Sequence, residues 1–215
     1  MTFDLFPSTE FGERETLGAQ ACLMRGFALA YCDRLLPAIE RLERESPFRR
    51  MQTPGGFTMS VMLTNCGRVG WHSDRQGYRY TRIDPVTGQA WPAMPAIMDT
   101  LAAEAAAAAG FPGFHPDACL VNLYQPGSRM SLHQDKNERD FSHPIVSVSL
   151  GMTAVFQFGG HARGDKAVKT HLYHGDVAVW GGEDRLRFHG ILPLKDHPHP
   201  VLGSRRINIT FRKAG

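Results

Sequence analysis

The chain has 215 residues, of which 42% are hydrophobic and 10% aromatic, and its 24 basic residues nearly balance its 21 acidic ones. This length suits one well-packed domain, and the composition excludes a disordered or collagen-like protein. No apolar run approaches the ~18 residues of a membrane span, and acids stand near the N-terminus where a signal peptide carries basic residues. We therefore expect a soluble, cytoplasmic protein without a membrane partner, and take a monomer as the default.

Two helices are predicted in the first half of the chain. Residues 27–45 carry apolar side chains at helical spacing, and Pro37 inside that pattern predicts a kink or a break. A second helix is indicated from Met94 to Ala105, and Gly110 is placed to end it. The four cysteines include no CxxC pair, which predicts buried free thiols rather than disulfides.

The segment 49–82 is basic and aromatic. It holds six arginines and a single acidic residue, interleaved with Phe57, Trp71, Tyr78 and Tyr80. Arginines contact phosphates and aromatic rings stack on bases, so this composition favours a surface for single-stranded nucleic acid. A solvated surface loop is the competing interpretation.

After Phe111 the pattern changes to short strands separated by Gly, Pro and Asp. Seven strands are predicted, at 118–124, 145–150, 154–158, 170–173, 177–180, 187–192 and 206–212. Strands of this number and spacing predict a sandwich, jelly roll or barrel. We expect one α+β, mainly β domain, with helices buttressing a β core and the 49–82 segment at its mouth.

A metal site is suggested by the segment SLHQDKNE. His133 and Asp135 lie two residues apart, so they share a face of an extended segment. Two histidines and one carboxylate form the facial triad of non-haem Fe(II) oxygenases, and His189 in RFHGI is the best candidate for the third ligand. The competing histidines lie beside turns or in polar stretches: His143, His161, His171 and His174. A bare HxD pair is common by chance, and most such histidines are surface or hydrogen-bonded residues.

The C-terminal segment RINITFR supplies a second, independent signal. Strand alternation places four polar residues on one face and three apolar residues on the other. The polar face comprises Arg206, Asn208, Thr210 and Arg212. An edge strand with this face in water is one interpretation. In the other, the arginines point into a barrel and pair with a small dicarboxylate, since a guanidinium binds carboxylate bidentately.

These motifs, in this order, resemble the AlkB family of Fe(II)- and 2-oxoglutarate-dependent DNA dealkylases over nearly the whole chain. The segments that carry the resemblance are SPFRRMQTPGGFTMSVMLTNCG, WPAMP, PDACLVNLYQPGSRMSLHQDK, PIVSVSLG, FQFGG, HGDVAVWGGEDRLRFHGI and RINITFR. The resemblance implies a single domain over residues 1–215. It implies a double-stranded β-helix (jelly-roll) core at approximately 115–213 and a nucleotide-recognition lid at approximately 46–90.

The resemblance also implies ligands and roles. Fe(II) is the implied metal, with 2-oxoglutarate and O2 as co-substrates. The implied iron ligands are His133, Asp135 and His189. The implied co-substrate residues are Asn122, Tyr124, Arg206, Asn208 and Arg212. The implied substrate residues are Thr53, Met59, Trp71, Tyr78, Asn137 and Arg163, with Trp71 stacking on the damaged base and Tyr78 contacting the nucleotide backbone. In the competing interpretation the two aromatics are packing residues and Arg163 is a solvated turn residue.

The implied reaction is oxidative demethylation of bases such as 1-methyladenine and 3-methylcytosine in alkylated DNA, preferably single-stranded, with release of formaldehyde. One position departs from the family. Asn137 stands where the family has an acid near the amino group of a methylated adenine, so the adenine-versus-cytosine preference is open. Glu138, the next residue, is a candidate substitute, although it belongs to the other face.

Three other functions share parts of the pattern. A 2-oxoglutarate oxygenase acting on RNA, protein or a small molecule needs the same metal and arginine sets. A non-catalytic jelly-roll module uses the histidines for structure. A zinc hydrolase can use the His–Asp–His set but has no need of the two arginines.

Overall fold

The computed structural model describes residues 12–215 as fourteen β-strands and two α-helices. The strands of the first half are β1 (Arg14–Gly18), β2 (Ala21–Met24), β3 (Arg49–Gln52), β4 (Thr58–Gly67), β5 (Gly70–Asp74) and β6 (Gly77–Thr81). Those of the second half are β7 (Ala118–Tyr124), β8 (Met130–His133), β9 (Ile145–Gly151), β10 (Ala154–Phe158), β11 (Val168–Leu172), β12 (Val177–Trp180), β13 (His189–Ile191) and β14 (Arg206–Arg212). The helices are α1 (Cys32–Glu45) and α2 (Ala96–Ala108), and 3-10 turns cover Leu29–Tyr31 and Gly182–Asp184. Residues 1–11, which carry most of the signal-peptide argument, lie outside the described residues.

Two antiparallel sheets form the body of the fold. The large sheet has the strand order β1-β2-β12-β9-β14-β7-β4-β3, and the small sheet has the order β11-β10-β13-β8. Side chains from both sheets share one buried cluster, in which Tyr124 and Trp180 of the large sheet meet Phe156 and Ile191 of the small one. The two sheets therefore face each other as a jelly roll, which confirms the predicted fold class.

The helices cover the outer face of the large sheet. Leu35 and Ile39 of α1 and Met98 and Leu101 of α2 are buried in a cluster with Ile209 of β14. The predicted second helix is confirmed, and Gly110 after it has φ +100°, a backbone conformation suited to glycine. No helix in residues 12–215 is long and apolar enough to cross a membrane.

Of the kink or break predicted at Pro37, the break is not found. The α-helix runs from Cys32 to Glu45 with Pro37 inside it, and the preceding residues form a 3-10 turn instead of its first turn. Pro37 lies in the second turn, so the hydrogen bond lost is the single one to the carbonyl of Asp33. Burial of Leu35 and Ile39 on either side of the proline compensates for that loss.

Strand β14 occupies the centre of the large sheet. It pairs with β7 on one side and with β9 on the other, so the edge-strand interpretation is wrong. Its apolar side chains face the helices, whereas Arg206 and Arg212 are buried on the inner face, 1% and 6% exposed. An inward-facing pair of arginines needs anionic partners, as the second interpretation required.

The list of seven predicted strands omits five strands of the two main sheets, β1, β2, β3, β4 and β8. Strand β8 has only four residues, and its pairing with β13 is irregular, which explains the weak signal. The thiol prediction is confirmed: all four cysteines are free, and all but the half-buried Cys32 are buried.

The basic 49–82 segment contributes to two structures. Strands β3 and β4 extend the large sheet through the β4–β7 pairing, while β5 and β6 form a separate two-stranded hairpin. Half of the arginines of this segment are neutralised by carboxylates, in the pairs Arg49–Asp84, Arg68–Asp117 and Arg79–Asp74. Within residues 12–215, Arg50, Arg75 and Arg82 have no carboxylate partner, so the charge available to a ligand is about half of what the sequence indicates.

Candidate active site

A cavity of about 760 Å³ lies between the two sheets and reaches the β5–β6 hairpin. Every residue that the sequence analysis assigned to iron, 2-oxoglutarate or the nucleobase lines this cavity. The structure thus brings together residues from β4 to β14 that lie far apart in the chain.

The two histidines of the cluster are neighbours on paired strands. His133 ends β8 and His189 begins β13, and the two are directly opposite in the register. Asp135 completes the group, with its Oδ1 3.7 Å from His133 Nε2 and its Oδ2 3.7 Å from His189 Nε2. Within residues 12–215 this is the single group of three or more His, Cys, Asp or Glu ligand atoms close enough to share a metal ion.

The competing histidines lie elsewhere. His143 is beside Asp140, His161 contacts the carbonyl of Glu183, and His171 is exposed. His174 lies beside Cys32, with 3.6 Å between its Nε2 and Sγ. None of the four lines the cavity, so the structure selects His189 as the partner of His133 and Asp135.

Both cluster histidines are oriented by backbone carbonyls. Nδ1 of His133 lies 2.9 Å from the carbonyl of Ser131, and Nδ1 of His189 lies 3.0 Å from that of Arg187. A proton on each Nδ1 satisfies these carbonyls and leaves each Nε2 lone pair free toward Asp135. This is the usual orientation of metal-binding histidines.

Burial and neighbouring charges shift the pKa values of His189 and Asp135 in the direction that favours metal binding. Burial, and after it the neighbouring His133, lowers the pKa of His189 to about 3, so His189 is neutral and can act as a ligand. Burial alone would raise the pKa of Asp135, but Arg212 and the two histidines outweigh it and hold that pKa below its ordinary value. Two imidazole nitrogens and an ionised carboxylate are donors that suit Fe(II), so the residues fit this metal.

Arg206 lies deep in the cavity with unused donors. Its Nη2 donates to Ser149 Oγ at 3.0 Å, and its guanidinium lies 4.8 Å above the ring centre of Tyr124. Its Nε and Nη1 are buried without a hydrogen-bond partner. A buried guanidinium with two free donors calls for an anion, and a carboxylate of 2-oxoglutarate fits this need.

The other polar residues of this wall form a connected set. Asn208 donates to Ser147 Oγ at 2.8 Å and to the carbonyl of Val148 at 3.0 Å, and its Oδ1 accepts from Asn122. The buried Oδ1 of Asn122 has no partner. The hydrogen-bonding groups of the Asn208 side chain therefore already have partners within the protein, whereas the Oδ1 acceptor of Asn122 has none. The sequence analysis missed Ser147 and Ser149, although the alternation in IVSVSLG places both on the inner face of β9.

The opposite wall carries aromatic side chains. Trp71 and Tyr78 stack with ring centres 5.5 Å apart and an interplanar angle of 16°. Nε1 of Trp71 donates to Oδ1 of Asn137 at 3.2 Å. This contact engages the side-chain oxygen of Asn137, the atom that could accept a hydrogen bond from the amino group of a base. The neighbouring Glu138 is buried beneath the surface and does not line the cavity, so the suggestion that it substitutes for Asn137 is wrong.

Three further predicted residues lie at the rim of the cavity. Thr53 closes the turn before β4, where its Oγ1 accepts from the amide of Phe57 at 3.2 Å. Met59 packs with Trp71 on a small apolar cluster. The guanidinium of Arg163 lies 5.0 Å from the ring centre of Phe188 and donates to the carbonyl of Leu132.

Known proteins resemble this chain in sequence and in structure. The family model described as "2OG-Fe(II) oxygenase superfamily" matches residues 21–212. The "Alpha-ketoglutarate-dependent dioxygenase AlkB" of Escherichia coli (strain K12) is 54% identical over 212 residues, covering 99% of this chain and 98% of that protein. The "DNA N(6)-methyladenine demethylase ALKBH1C" of Arabidopsis thaliana is 32% identical over 171 residues, covering 67% of this chain and 38% of that protein. The solved structure of OsALKBH1 superposes with a TM-score of 0.82 at 28% identity, covering 94% of this chain and 100% of that one.

Proposed function

Because this chain belongs to the 2OG-Fe(II) oxygenase superfamily, we propose that it oxidatively demethylates N-alkylated DNA bases of the 1-methyladenine and 3-methylcytosine type, in DNA repair. It is an Fe(II)- and 2-oxoglutarate-dependent dioxygenase with O2 as the second co-substrate. One observation carries the choice of substrate: a single cavity joins the His–Asp–His cluster to a stacked aromatic pair suited to a planar base. The Arabidopsis relative, named as a DNA N(6)-methyladenine demethylase, likewise points to demethylation of DNA.

Residues at one end of the cavity are proposed to bind iron and 2-oxoglutarate, and residues at the other end to bind the nucleobase. His133, Asp135 and His189 would hold the iron, which when bound would supply, with 2-oxoglutarate and O2, the oxidising power for hydroxylation of an N-methyl carbon. Arg206 binds a carboxylate of 2-oxoglutarate through its free Nε and Nη1, and Arg212 and Asn122 lie on the same wall. Tyr124 supports the Arg206 guanidinium from below, and Asn208 positions Asn122.

At the other end, Trp71 stacks on the flipped base and Tyr78 backs its indole ring. Met59 and Thr53 shape the rim, and Arg163 lies near the base. The hydroxylated methyl group leaves as formaldehyde. We assign no general base, because the cluster's histidines and carboxylate act as ligands and the remaining residues bind, orient and exclude water.

The substrate strand is proposed to be single-stranded DNA. A base inside a stacked duplex cannot reach a buried metal, so the enzyme must flip it out or accept a single strand. Arg50 and Arg75 are exposed and have no carboxylate partner within residues 12–215, and Arg50 donates to the carbonyl of the cavity residue Ser60. Two such guanidinium groups suit a flexible phosphate backbone. We propose residues 46–90 as the recognition lid and 115–213 as the catalytic core. A cytoplasmic location and a monomeric state remain predictions.

A panel of methylated oligonucleotides, read by mass spectrometry, tests the function. We expect mass losses of one methylene group and release of formaldehyde from single-stranded DNA carrying 1-methyladenine or 3-methylcytosine. The His133→Ala variant serves as the inactive control. An enzyme that turns over 2-oxoglutarate yet demethylates no DNA in the panel would favour RNA, a protein or a small molecule as substrate.

A further inference from the structure

The β5–β6 hairpin touches the loop that follows the iron ligand Asp135 at two adjacent residues. Trp71 of β5 donates to Asn137, and Tyr80 of β6 donates to Oε1 of Glu138 at 2.6 Å. Trp71 and Tyr80 are directly opposite each other in the hairpin register. Consecutive residues of the loop therefore hold the two strands of the hairpin.

Glu138 is a buried carboxylate that needs positive partners. The residue is 6% exposed, and its Oε2 lies 3.1 Å from Nη2 of Arg185 as an ion pair without hydrogen-bond geometry. Its Oε1 lies 3.6 Å from Nε of Arg212. A carboxylate this deep is stable when such charges and a hydroxyl donor surround it.

The same two arginines fix Asp135. Nη1 of Arg185 donates to the backbone carbonyl of Asp135 at 2.8 Å, and Nη2 of Arg212 donates to its Oδ2 at 2.7 Å. Glu138 therefore contacts both arginines that orient Asp135, the proposed iron ligand. Its Oε1 also accepts the hydrogen bond from the hydroxyl of Tyr80. Burial, together with the carboxylates of Glu138 and Asp135, raises the pKa of Tyr80 well above its ordinary value, so this hydroxyl stays protonated and donates.

We propose that Tyr80 is a positioning residue for the nucleobase: its hydrogen bond to Glu138 fixes the hairpin, and with it Trp71, relative to the iron ligand Asp135. Tyr80 does not line the cavity and acts through Trp71. This inference rests on the proposed function, because it assigns Trp71 to the base. Sequence analysis counted Tyr80 as one of four interleaved aromatics and gave it no role.

The test compares Tyr80→Phe with wild type in two measurements. Hydrogen exchange of the amides of residues 70–81, in protein without added metal or co-substrate, should become faster in Tyr80→Phe. The KM for a methylated oligonucleotide should rise about tenfold, the order expected for losing a hydrogen bond to a charged group, while kcat and the KM for 2-oxoglutarate stay within about twofold. A uniform loss of folded protein would instead lower the apparent kcat and leave both KM values unchanged.

Tyr31→Phe is the matched control. It removes another tyrosine–glutamate hydrogen bond, from Tyr31 to Glu104, in the helical layer away from the cavity. We expect neither measurement to change in this variant. Glu138→Gln keeps an oxygen acceptor for Tyr80, so the amides of residues 70–81 should exchange as slowly as in the wild type.

Two results would overturn the proposal. One is that Tyr80→Phe changes neither the hydrogen exchange of the amides of residues 70–81 nor the KM for the oligonucleotide. The other is that Glu138→Gln, which keeps the acceptor, speeds the exchange of these amides as much as Tyr80→Phe does. A wild-type protein that demethylates no DNA would overturn the proposed function but leave the exchange comparison intact, so the two failures are distinguishable.

Discussion

Arg212 donates two hydrogen bonds, of 2.7 and 2.9 Å, to Oδ2 of Asp135. The carboxylate that the cluster offers to a metal is thus also the partner of an arginine proposed to serve the co-substrate. Arg206 has no such link, because its contacts are with Ser149 and Tyr124. The two arginines of β14 therefore differ in what they support.

Replacing these arginines should separate metal affinity from co-substrate affinity. Arg212→Ala leaves Asp135 without its partner, and we expect metal affinity to fall by about 10–100-fold, as for other residues that orient metal ligands. Arg206→Ala should leave metal affinity unchanged and weaken 2-oxoglutarate binding by about 100-fold, because it removes a buried charge partner. Calorimetric titrations with Mn(II) and then with 2-oxoglutarate measure both. Equal effects of the two variants on the metal would contradict this division.

The assignment of the third ligand is tested by paired histidine variants. His189→Ala should abolish tight metal binding, because the cluster loses one of three ligand atoms lying within 4.8 Å of one another. His171→Ala is the control, since His171 competed with His189 in the sequence but is exposed outside the cavity. Equilibrium dialysis against Fe(II) under anaerobic conditions is the measurement. A loss of metal in His171→Ala, or its retention in His189→Ala, would refute the assignment.

Trp71 should contribute binding rather than chemistry. We expect Trp71→Ala to raise the KM for a methylated oligonucleotide by about tenfold or more, because stacking of an aromatic side chain on a base contributes about 1–3 kcal/mol. Trp71→Phe keeps a ring but loses the hydrogen bond to Asn137, so its effect should be smaller. Steady-state kinetics of formaldehyde release measure both. An unchanged KM in Trp71→Ala would place the base elsewhere.

Asn137 should set the lesion preference. Both bases are cationic when N-methylated, and Asn137 presents an amide whose oxygen is engaged by Trp71. We expect Asn137→Asp to increase kcat/KM for 1-methyladenine over 3-methylcytosine by about fivefold, because the AlkB family has an acid here near the amino group of a methylated adenine, and a carboxylate accepts a stronger, charge-assisted hydrogen bond from that group. Competition between the two lesions in one oligonucleotide mixture, read by mass spectrometry, gives the ratio. No shift in this ratio would exclude Asn137 from base discrimination.

Arg75 should act on the phosphate backbone. It is exposed in the turn between β5 and β6, and it has no carboxylate partner within residues 12–215. Arg75→Ala should weaken binding of single-stranded DNA irrespective of sequence and reduce the slope of log K against log salt by about 0.7. Arg44→Ala, which removes an exposed arginine of α1, is the control. Fluorescence anisotropy at several salt concentrations tests this; an unchanged slope in Arg75→Ala would contradict it.

The sequence by itself determined the fold class and the regular strands. Alternation in RINITFR fixed which side chains share a face, and the bounds predicted for 118–124, 154–158, 177–180 and 206–212 are those observed. These segments are strongly patterned because one side of each strand must pack on the core. Helix α1 continues through Pro37 because tertiary packing outweighs one lost hydrogen bond, which local propensity does not reveal.

Only the tertiary structure decided between interpretations that the sequence left open. Strand alternation could not say whether the polar face of β14 meets water or a cavity, since both give the same pattern; the burial of Arg206 and Arg212 in the cavity wall decided it. Likewise the proximity of His189, and of none of the four other histidines, to His133 and Asp135, the neutralisation of half the arginines in 49–82 and the contact of Tyr80 with Glu138 all depend on residues distant in sequence. Distances and charge pairing arise from the packing of the whole chain, whereas periodicity is a local property.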